Sequence, residues 1–260
     1  RQQIAHRDRM RALLTQERAA RQTVNRFFTS QLSEITAAME SGRKDASEDF
    51  WQRISSGQGL TFDVTAIRAA AMDALNQLID WNQQDEALLR TLNPVWEEAF
   101  NTGAKSIEQN FGITAAPRLT DYLRQQGLKR VRGINETTRD KIASALADGI
   151  EAGESTAQLV KRIQQHLPDM QAERAAAIAT SEAHTSMQAG SFAQMQYGGC
   201  TTKTWITAGD EDVRDSHRSQ NGVTVPIDQP FPNGLMYPGD PSGSPGEIIN
   251  CRCDMIPGDL

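Results

Sequence analysis

The spacing of apolar residues in this sequence changes once, at Gly198-Gly199, and that change limits the chain to long helices first and a small sheet afterwards. From Ile4 to about Met39, the residues Leu13, Leu14, Val24, Phe28, Leu32, Ile35 and Met39 recur at intervals of three and four, which predicts one long amphipathic helix. Residues 41–62, with Gly42, Gly57 and Gly59, read as a linker around a short helical piece carrying Phe50, Trp51 and Ile54. A second helix is predicted from about Thr65 to Leu92. Asn93-Pro94 then has the form of a new start, a cap followed by proline at the first helical position, for a helix through Trp96, Phe100 and Ile107 to Gly112. A short helix follows Pro117, through Leu119, Tyr122 and Leu123, and ends at Gly127.

Residues 128–136 are weakly patterned and read as a connection, so a domain boundary is expected near residue 130. That gives a helical domain at 1–130 and an α+β domain at 131–260. In the second, Thr137–Ala152 is helical and closes at Gly153. Ser155-Thr156-Ala157-Gln158 is a capping box opening a helix that Pro168 should stop. Asp169 then caps a helix to about Tyr197, whose alanines offer a smooth face for another backbone. Beyond Gly199, Thr201–Thr207 is β-branched and aromatic and predicts a strand. Asn221-Gly222 is a two-residue hairpin signal, 226–245 reads as loop, and Glu247–Cys251 as a last short strand. The expected fold class is α+β: mainly long helices in the N-terminal half, and a C-terminal module of helices plus a small antiparallel sheet and ordered loops.

Composition agrees with that outline. Hydrophobic residues make up 38% and aromatics 6%, sparse for a thick sheet core but suited to long exposed helices. The net charge of −6 is uneven: residues 181–260 hold ten acidic against four basic side chains, whereas residues 1–30 hold seven arginines against Asp8 and Glu17. A basic first segment and an acidic tail predict different partners at the two ends. Three cysteines exclude a disulfide framework and favour a reducing compartment. No run of 18 apolar residues occurs, so no membrane partner is expected. The chain begins at Arg1 rather than Met, as expected of a segment of a longer or processed polypeptide.

Three constellations are candidates for chemistry. Asp210, Asp212, Asp215 and His217 fall within eight residues, a pattern suited to metal-assisted hydrolysis. Aspartates in a strand-to-turn segment more often make Asx turns and loop caps, and that reading is preferred, so no catalytic residue is assigned. Cys251-x-Cys253 with His217, His184 or Cys200 has the donors for zinc. Structural zinc sites usually carry a C-x2–4-C pair and a second pair, which is missing, so buried thiols are expected and no metal or other cofactor. Arg7, Arg9, Arg11, Arg18, Arg21 and Arg26 suit either nucleic-acid phosphates or an acidic protein surface.

Residues 173–253 resemble the phage Mu F-like minor head (head morphogenesis) family. The resemblance rests on Glu173-Arg174-Ala175, Ile178-Ala179-Thr180-Ser181-Glu182-Ala183, and Trp205 followed by Asp210, Asp212-Val213-Arg214-Asp215-Ser216-His217. Asn221-Gly222, Tyr237-Pro238-Gly239-Asp240-Pro241 and Ile249-Asn250-Cys251-Arg252-Cys253 complete the series. One departure is Thr180-Ser181-Glu182, where the family commonly has Arg-Thr-Glu. The resemblance implies a low-copy structural protein of tailed-phage heads, not an enzyme, assembled in the host cytoplasm and located in the virion. It implies the portal protein and/or the major capsid protein as partners, and a role in head assembly and DNA packaging or ejection. It also implies that Glu182, Trp205, Asp210, Asp212, Arg214, His217, Asn221, Gly222, Tyr237, Pro238, Gly239, Asp240, Asn250, Cys251 and Cys253 form a structural motif. The alternatives are a nucleic-acid-binding protein ejected with the genome, with weak DNA contact through the N-terminal arginines, and a metal-dependent enzyme.

Overall fold

The structure is a computed structural model that describes residues 2–41, 64–115 and 119–258. The linker expected at 41–62 lies almost entirely outside the described residues, whereas the short helix expected after Pro117 is described from Leu119 on and runs past its expected end at Gly127. The elements run α1 (Gln2–Ser41), α2 (Val64–Leu78), α3 (Trp81–Phe111), α4 (Leu119–Glu151) and α5 (Thr156–Tyr197). They continue with β1 (Thr202–Ile206), α6 (Asp215–Arg218), β2 (Thr224–Pro226), α7 (Pro245–Ile248) and β3 (Asp254–Pro257). The three strands form one antiparallel sheet in the order β2-β1-β3. The fold class is α+β, as the sequence indicates.

The helices are fewer and longer than the punctuation in the sequence suggests. The predicted 65–92 helix breaks at Ile79-Asp80, because the Asp80 side chain accepts hydrogen bonds from Asn82 N (3.0 Å) and Gln83 N (3.2 Å) and so caps α3. Asn93-Pro94 therefore starts nothing, and Pro94 lies inside α3. An internal proline costs about 3 kcal/mol. Leu88, Leu92, Trp96, Ala99 and Phe100 are buried on either side of it, at about 1.5–3 kcal/mol for each large side chain, so burial outweighs the lost bond. Pro168 likewise lies inside α5 rather than ending a helix. Where the sequence signals are local and complete, they hold. Ser155 N donates to Gln158 Oε1 (2.8 Å) in the capping box, and Gly199 (φ 82°) ends α5 with Cys200 N bonded to Met195 O (3.0 Å).

Contacts divide the chain into two compact units. One comprises Asn25–Arg90 and Gly127–Arg174. Its core joins Ile35 and Met39 of α1, Leu75 of α2, Ile142 and Leu146 of α4, and Leu159 and Ile163 of α5. The boundary expected near residue 130 lies inside α4, and residues 128–136 are helical rather than a connection. Their weak pattern has a physical cause. Asn135 and Thr138 occupy inward positions of α4, where Asn135 accepts from Gln31 Nε2 (3.0 Å) and donates to Asp85 Oδ1 (2.8 Å). Polar residues that are buried and satisfied erase the apolar period.

The other unit comprises Arg1–Val24, Thr91–Gln126 and Ala175–Leu260 and carries the sheet. Here α3 and α5 touch backbone to backbone. A Cβ on Gly103 would sit 1.9 Å from Met187 O, and one on Gly190 would sit 2.0 Å from Phe100 O. Beyond the α5 alanines, the closest backbone approach thus lies further along α5, at Met187 and Gly190, with Gly103 and Phe100 of α3 opposite. Phe100, Ile107, Ala189 and Met195 of this helix pair pack with Trp205, Phe231, Leu235, Cys251, Cys253 and Met255 of the sheet module.

Candidate functional site

The C-terminal module is held against α1 by a buried charge pair. Arg9 is 1% exposed and Asp254, the first residue of β3, is fully buried. Arg9 meets the carboxylate in a fork, Nε to Oδ2 at 2.9 Å and Nη2 to Oδ1 at 2.7 Å. Its remaining donors reach Ser106 Oγ and Ser191 Oγ (2.9 Å), and Gln188 Nε2 (2.9 Å) and His6 Nδ1 (3.2 Å) complete the shell around Asp254. Burial opposes the Asp254 charge, but the Arg9 guanidinium and the hydrogen bonds of His6, Arg9 and Gln188 hold its carboxyl well below the usual range. Arg9 is therefore unavailable to any partner, which corrects its grouping with the other arginines; Arg7, Arg11, Arg18, Arg21 and Arg26 are exposed. The signal was present in the spacing. Arg9, Leu13, Glu17, Ala20 and Val24 lie three and four apart, so both charged residues fall on the apolar stripe. Glu17, also buried, pairs with Arg252 Nη2 at 3.2 Å. Val24, Phe28 and Ile35 of the stripe are likewise buried.

Behind β1 lies a second buried cluster. The single turn α6 turns His217 inward, 1% exposed, with its ring edge-on to Trp205 of β1 at a centroid distance of 5.1 Å. Cys251 and Cys253 reach the same point from the chain entering β3. Asn250, at φ 56°, turns the backbone just after α7. In the extended chain that follows, alternate side chains share a face, so C-x-C presents both sulfurs together. Arg252, between them, points away to Glu17. His217 Nδ1 lies 3.7 Å from Cys251 Sγ and 3.5 Å from Cys253 Sγ. The ligand atoms of these three residues all lie within 4.8 Å of one another. The thiol of Cys251 hydrogen-bonds to Cys253, which, with help from His217 and Trp205, lowers the Cys253 pKa against the effect of burial; the same pairing and burial raise that of Cys251. On the other side of the ring, His217 Nε2 is 2.9 Å from Glu247 Oε2 but off the line of its N–H, so the contact is close without being an aligned hydrogen bond. Glu247 itself accepts from Ser216 Oγ at 3.1 Å.

The remaining motif residues divide into those the structure uses and those it leaves at the surface. Glu182 accepts from Trp96 Nε1 at 2.6 Å. Arg214 donates to Ile249 O, joining α6 to α7. Asp240 accepts from Met236 N (2.8 Å) and Ser242 N (2.9 Å), and Asn221 Oδ1 accepts from Thr207 N (3.0 Å). Gly239, at φ 79°, leaves its missing Cβ position 2.9 Å from His184 Nδ1, while Tyr237 tilts against Phe192 at 5.4 Å. Pro238 is buried beside them. Asp210 and Asp212 are exposed and hold no side-chain hydrogen bond among the described residues, so the loop-capping expected of them falls to Asn221 and Asp240. The Asp210/Asp212/Asp215/His217 constellation does not assemble, since its aspartates face solvent and its histidine faces inward.

Two strand readings change as well. Asn221-Gly222 is not a two-residue turn between strands but closes the longer excursion through α6 that joins β1 to β2, with Gly222 N bonded to Trp205 O at 2.8 Å. The predicted strand at 247–251 is α7 and a turn, and the last strand is β3, Asp254–Pro257. At the departure noted in the sequence, Ser181 Oγ accepts from Asn250 N (3.0 Å) and donates to Ala177 O (2.7 Å), so a hydroxyl ties α5 to the cysteine loop. The three cysteines are free, and among the described residues no helix is long and apolar enough to cross a membrane.

A family match runs from α4 to β3. Residues 140–256 match the family model described as Phage Mu protein F like protein. Among curated proteins, Minor head protein GP7 of Bacillus phage SPP1 is 29% identical over 161 residues, covering 58% of this chain and 47% of that protein. Uncharacterized protein YqbB of Bacillus subtilis (strain 168) is 25% identical over 150 residues, covering 54% of this chain and 48% of that one. The chain thus spans about half the length of the curated relatives it matches. No solved structure gives a significant match. The matched range holds α5, nearly all of the sheet, His217, both cysteines and Asp254, and over that range the chain is similar to the family of Phage Mu protein F like proteins.

Proposed function

We propose that this chain is a structural component of a tailed-phage head, located in the virion near the portal and acting in head assembly and DNA packaging or ejection. The observation that carries the reading is the similarity of 58% of this chain to the SPP1 minor head protein, beside the family match over α5 and most of the sheet module. A structural role suits the way the motif residues are used. Glu182, Arg214, Asn221 and Asp240 spend their polar atoms on neighbouring helix, loop and backbone groups rather than converging on a substrate. The partners proposed are the portal protein and/or the major capsid protein, without enzymatic activity of the chain itself. The alternative of DNA contact through the first helix retains Arg7, Arg11, Arg18, Arg21 and Arg26, and such binding is expected to be weak and steeply salt-dependent.

Purified heads from a phage carrying this gene, and from one lacking it, test the proposal. The chain should co-purify with heads at low copy, and a reconstruction should show extra density at the portal vertex that the deletion removes. Intact, infectious heads from the deletion phage, with the chain left in the soluble lysate, would refute it.

A further inference from the structure

We propose that His217, Cys251 and Cys253 bind one zinc ion, with Glu247 as the outer partner of the histidine and solvent in the fourth position. Two sulfurs approach a single ring nitrogen, at 3.5 and 3.7 Å, and the sulfurs also face each other. One imidazole lone pair accepts one hydrogen bond, so a Cys251–Cys253–His217 thiol chain explains the 3.5 Å approach of Cys253 but not why Cys251 Sγ also lies 3.7 Å from the same nitrogen. A cation between the three atoms satisfies them together. With Zn–S of about 2.3 Å and Zn–N of about 2.0–2.1 Å, the sulfur–nitrogen edge of a tetrahedral site is about 3.6 Å, which the two observed distances bracket.

The second shell is also that of a metal site. A ligating histidine usually gives its other N–H to a carboxylate, which fixes the tautomer and ring orientation. Glu247 Oε2 lies 2.9 Å from His217 Nε2 and needs a small swing to align. Ser216 steadies that carboxylate at 3.1 Å. Thiolate and imidazole donors select zinc over magnesium or calcium. Among the described residues no fourth Cys, His, Asp or Glu joins the group, which leaves the last position to water. The expectation of no metal followed from the missing second C-x2–4-C pair. The proposed site does not need that second pair: the C-x-C pair brings its sulfurs together without a knuckle, and the third donor comes from α6, 34 residues before Cys251. Such an ion links α6 to the segment entering β3, in a small sheet whose strands have three to five residues and gain from a staple.

The test uses the whole chain purified under reducing conditions without metal-affinity resin. Elemental analysis should find about one zinc per chain, and Cys251→Ser and Cys253→Ser should lose it. To separate metal loss from unfolding of those variants, wild-type protein is also exchanged with cobalt(II), where tetrahedral ligand-field bands and thiolate charge-transfer absorption are expected. Glu247→Gln should keep the metal at saturation but bind it about 10–100-fold more weakly. Folded wild-type protein with no bound metal and no cobalt spectrum overturns the site, as does a Cys251–Cys253 disulfide. Unchanged affinity in Glu247→Gln, or complete metal loss, overturns the role given to Glu247.

Discussion

Removing one side of the Arg9–Asp254 pair should be among the most damaging single changes outside the apolar core. Arg9→Met keeps the length and apolar stem of the side chain and removes the guanidinium. Asp254 is then left fully buried, retaining Gln188 at 2.9 Å and His6 at 3.2 Å but losing the fork at 2.7 and 2.9 Å. Ser106 and Ser191 lose a donor as well. Breaking a buried ion pair from one side costs about 3–5 kcal/mol, against a total stability of about 5–15 kcal/mol. At about 2–4 °C per kcal/mol for a chain near this size, the melting temperature should fall by about 6–20 °C. Calorimetry with a urea titration reads it, and Arg7→Met supplies the exposed control, expected within about 0.5 kcal/mol of wild type. Arg9→Met combined with Asp254→Leu removes both charges and should recover most of the loss, since an apolar replacement of a buried pair is often neutral or better. The pair also fixes a pH dependence. Asp254 has a lowered pKa in the folded state, so its contribution is complete above the unfolded value of 3.8 and is lost as pH falls below it. If Arg9→Met melted with the Arg7→Met control, or the double variant were worse than the single, the account of the anchor would be refuted.

The other expectations can be checked on the same preparations. Gly190→Ala places a methyl 2.0 Å from Phe100 O, which α3 and α5 can relieve only by moving apart, so a loss of at least about 1–3 kcal/mol is expected in urea unfolding. Trp96→Phe removes the 2.6 Å bond to Glu182 and should cost about 1.5–3 kcal/mol by the same measurement. Lys203 is buried, with its ammonium 3.0 Å from Ile227 O and 4.7 Å from the centre of the Phe192 ring, and burial lowers its pKa from 10.5 to about 8. Between those values the unfolded chain holds the proton that the folded chain has released, so stability should rise with pH across the window, and Lys203→Met should abolish the rise. Asp240→Ala removes two backbone caps and should cost about 0.5–2 kcal/mol, whereas exposed Asp212→Ala should be silent; the reverse order would reinstate Asp212 as a loop-holding residue.

What could be read from the sequence was whatever depends on near neighbours along the chain. The long first helix, the capping box at Ser155 and the stop at Gly198-Gly199 each rest on contacts within about five residues, and each is present; the strand at Thr202–Ile206 was legible from its β-branched and aromatic residues, although its ladder partners lie far along the chain, on β2 and β3. The family motifs were legible for a related reason, since their residue types and order lie in the sequence whatever the fold. Where a local signal met a tertiary demand, the tertiary demand prevailed. Pro94 stayed helical because burial on both sides outweighs one lost hydrogen bond, Pro168 also lies within its helix, and the inward Asn135 of residues 128–136 finds partners on α1 and α3. Arg9 lay on the apolar stripe from the outset, but its burial is stable only if a carboxylate 245 residues later comes to meet it. His217, Cys251 and Cys253 likewise gave no more than donor types. Their convergence on one point was decided by the inward turn of α6, the left-handed turn at Asn250 and the alternation of an extended chain, a geometry that no spacing along the sequence contains.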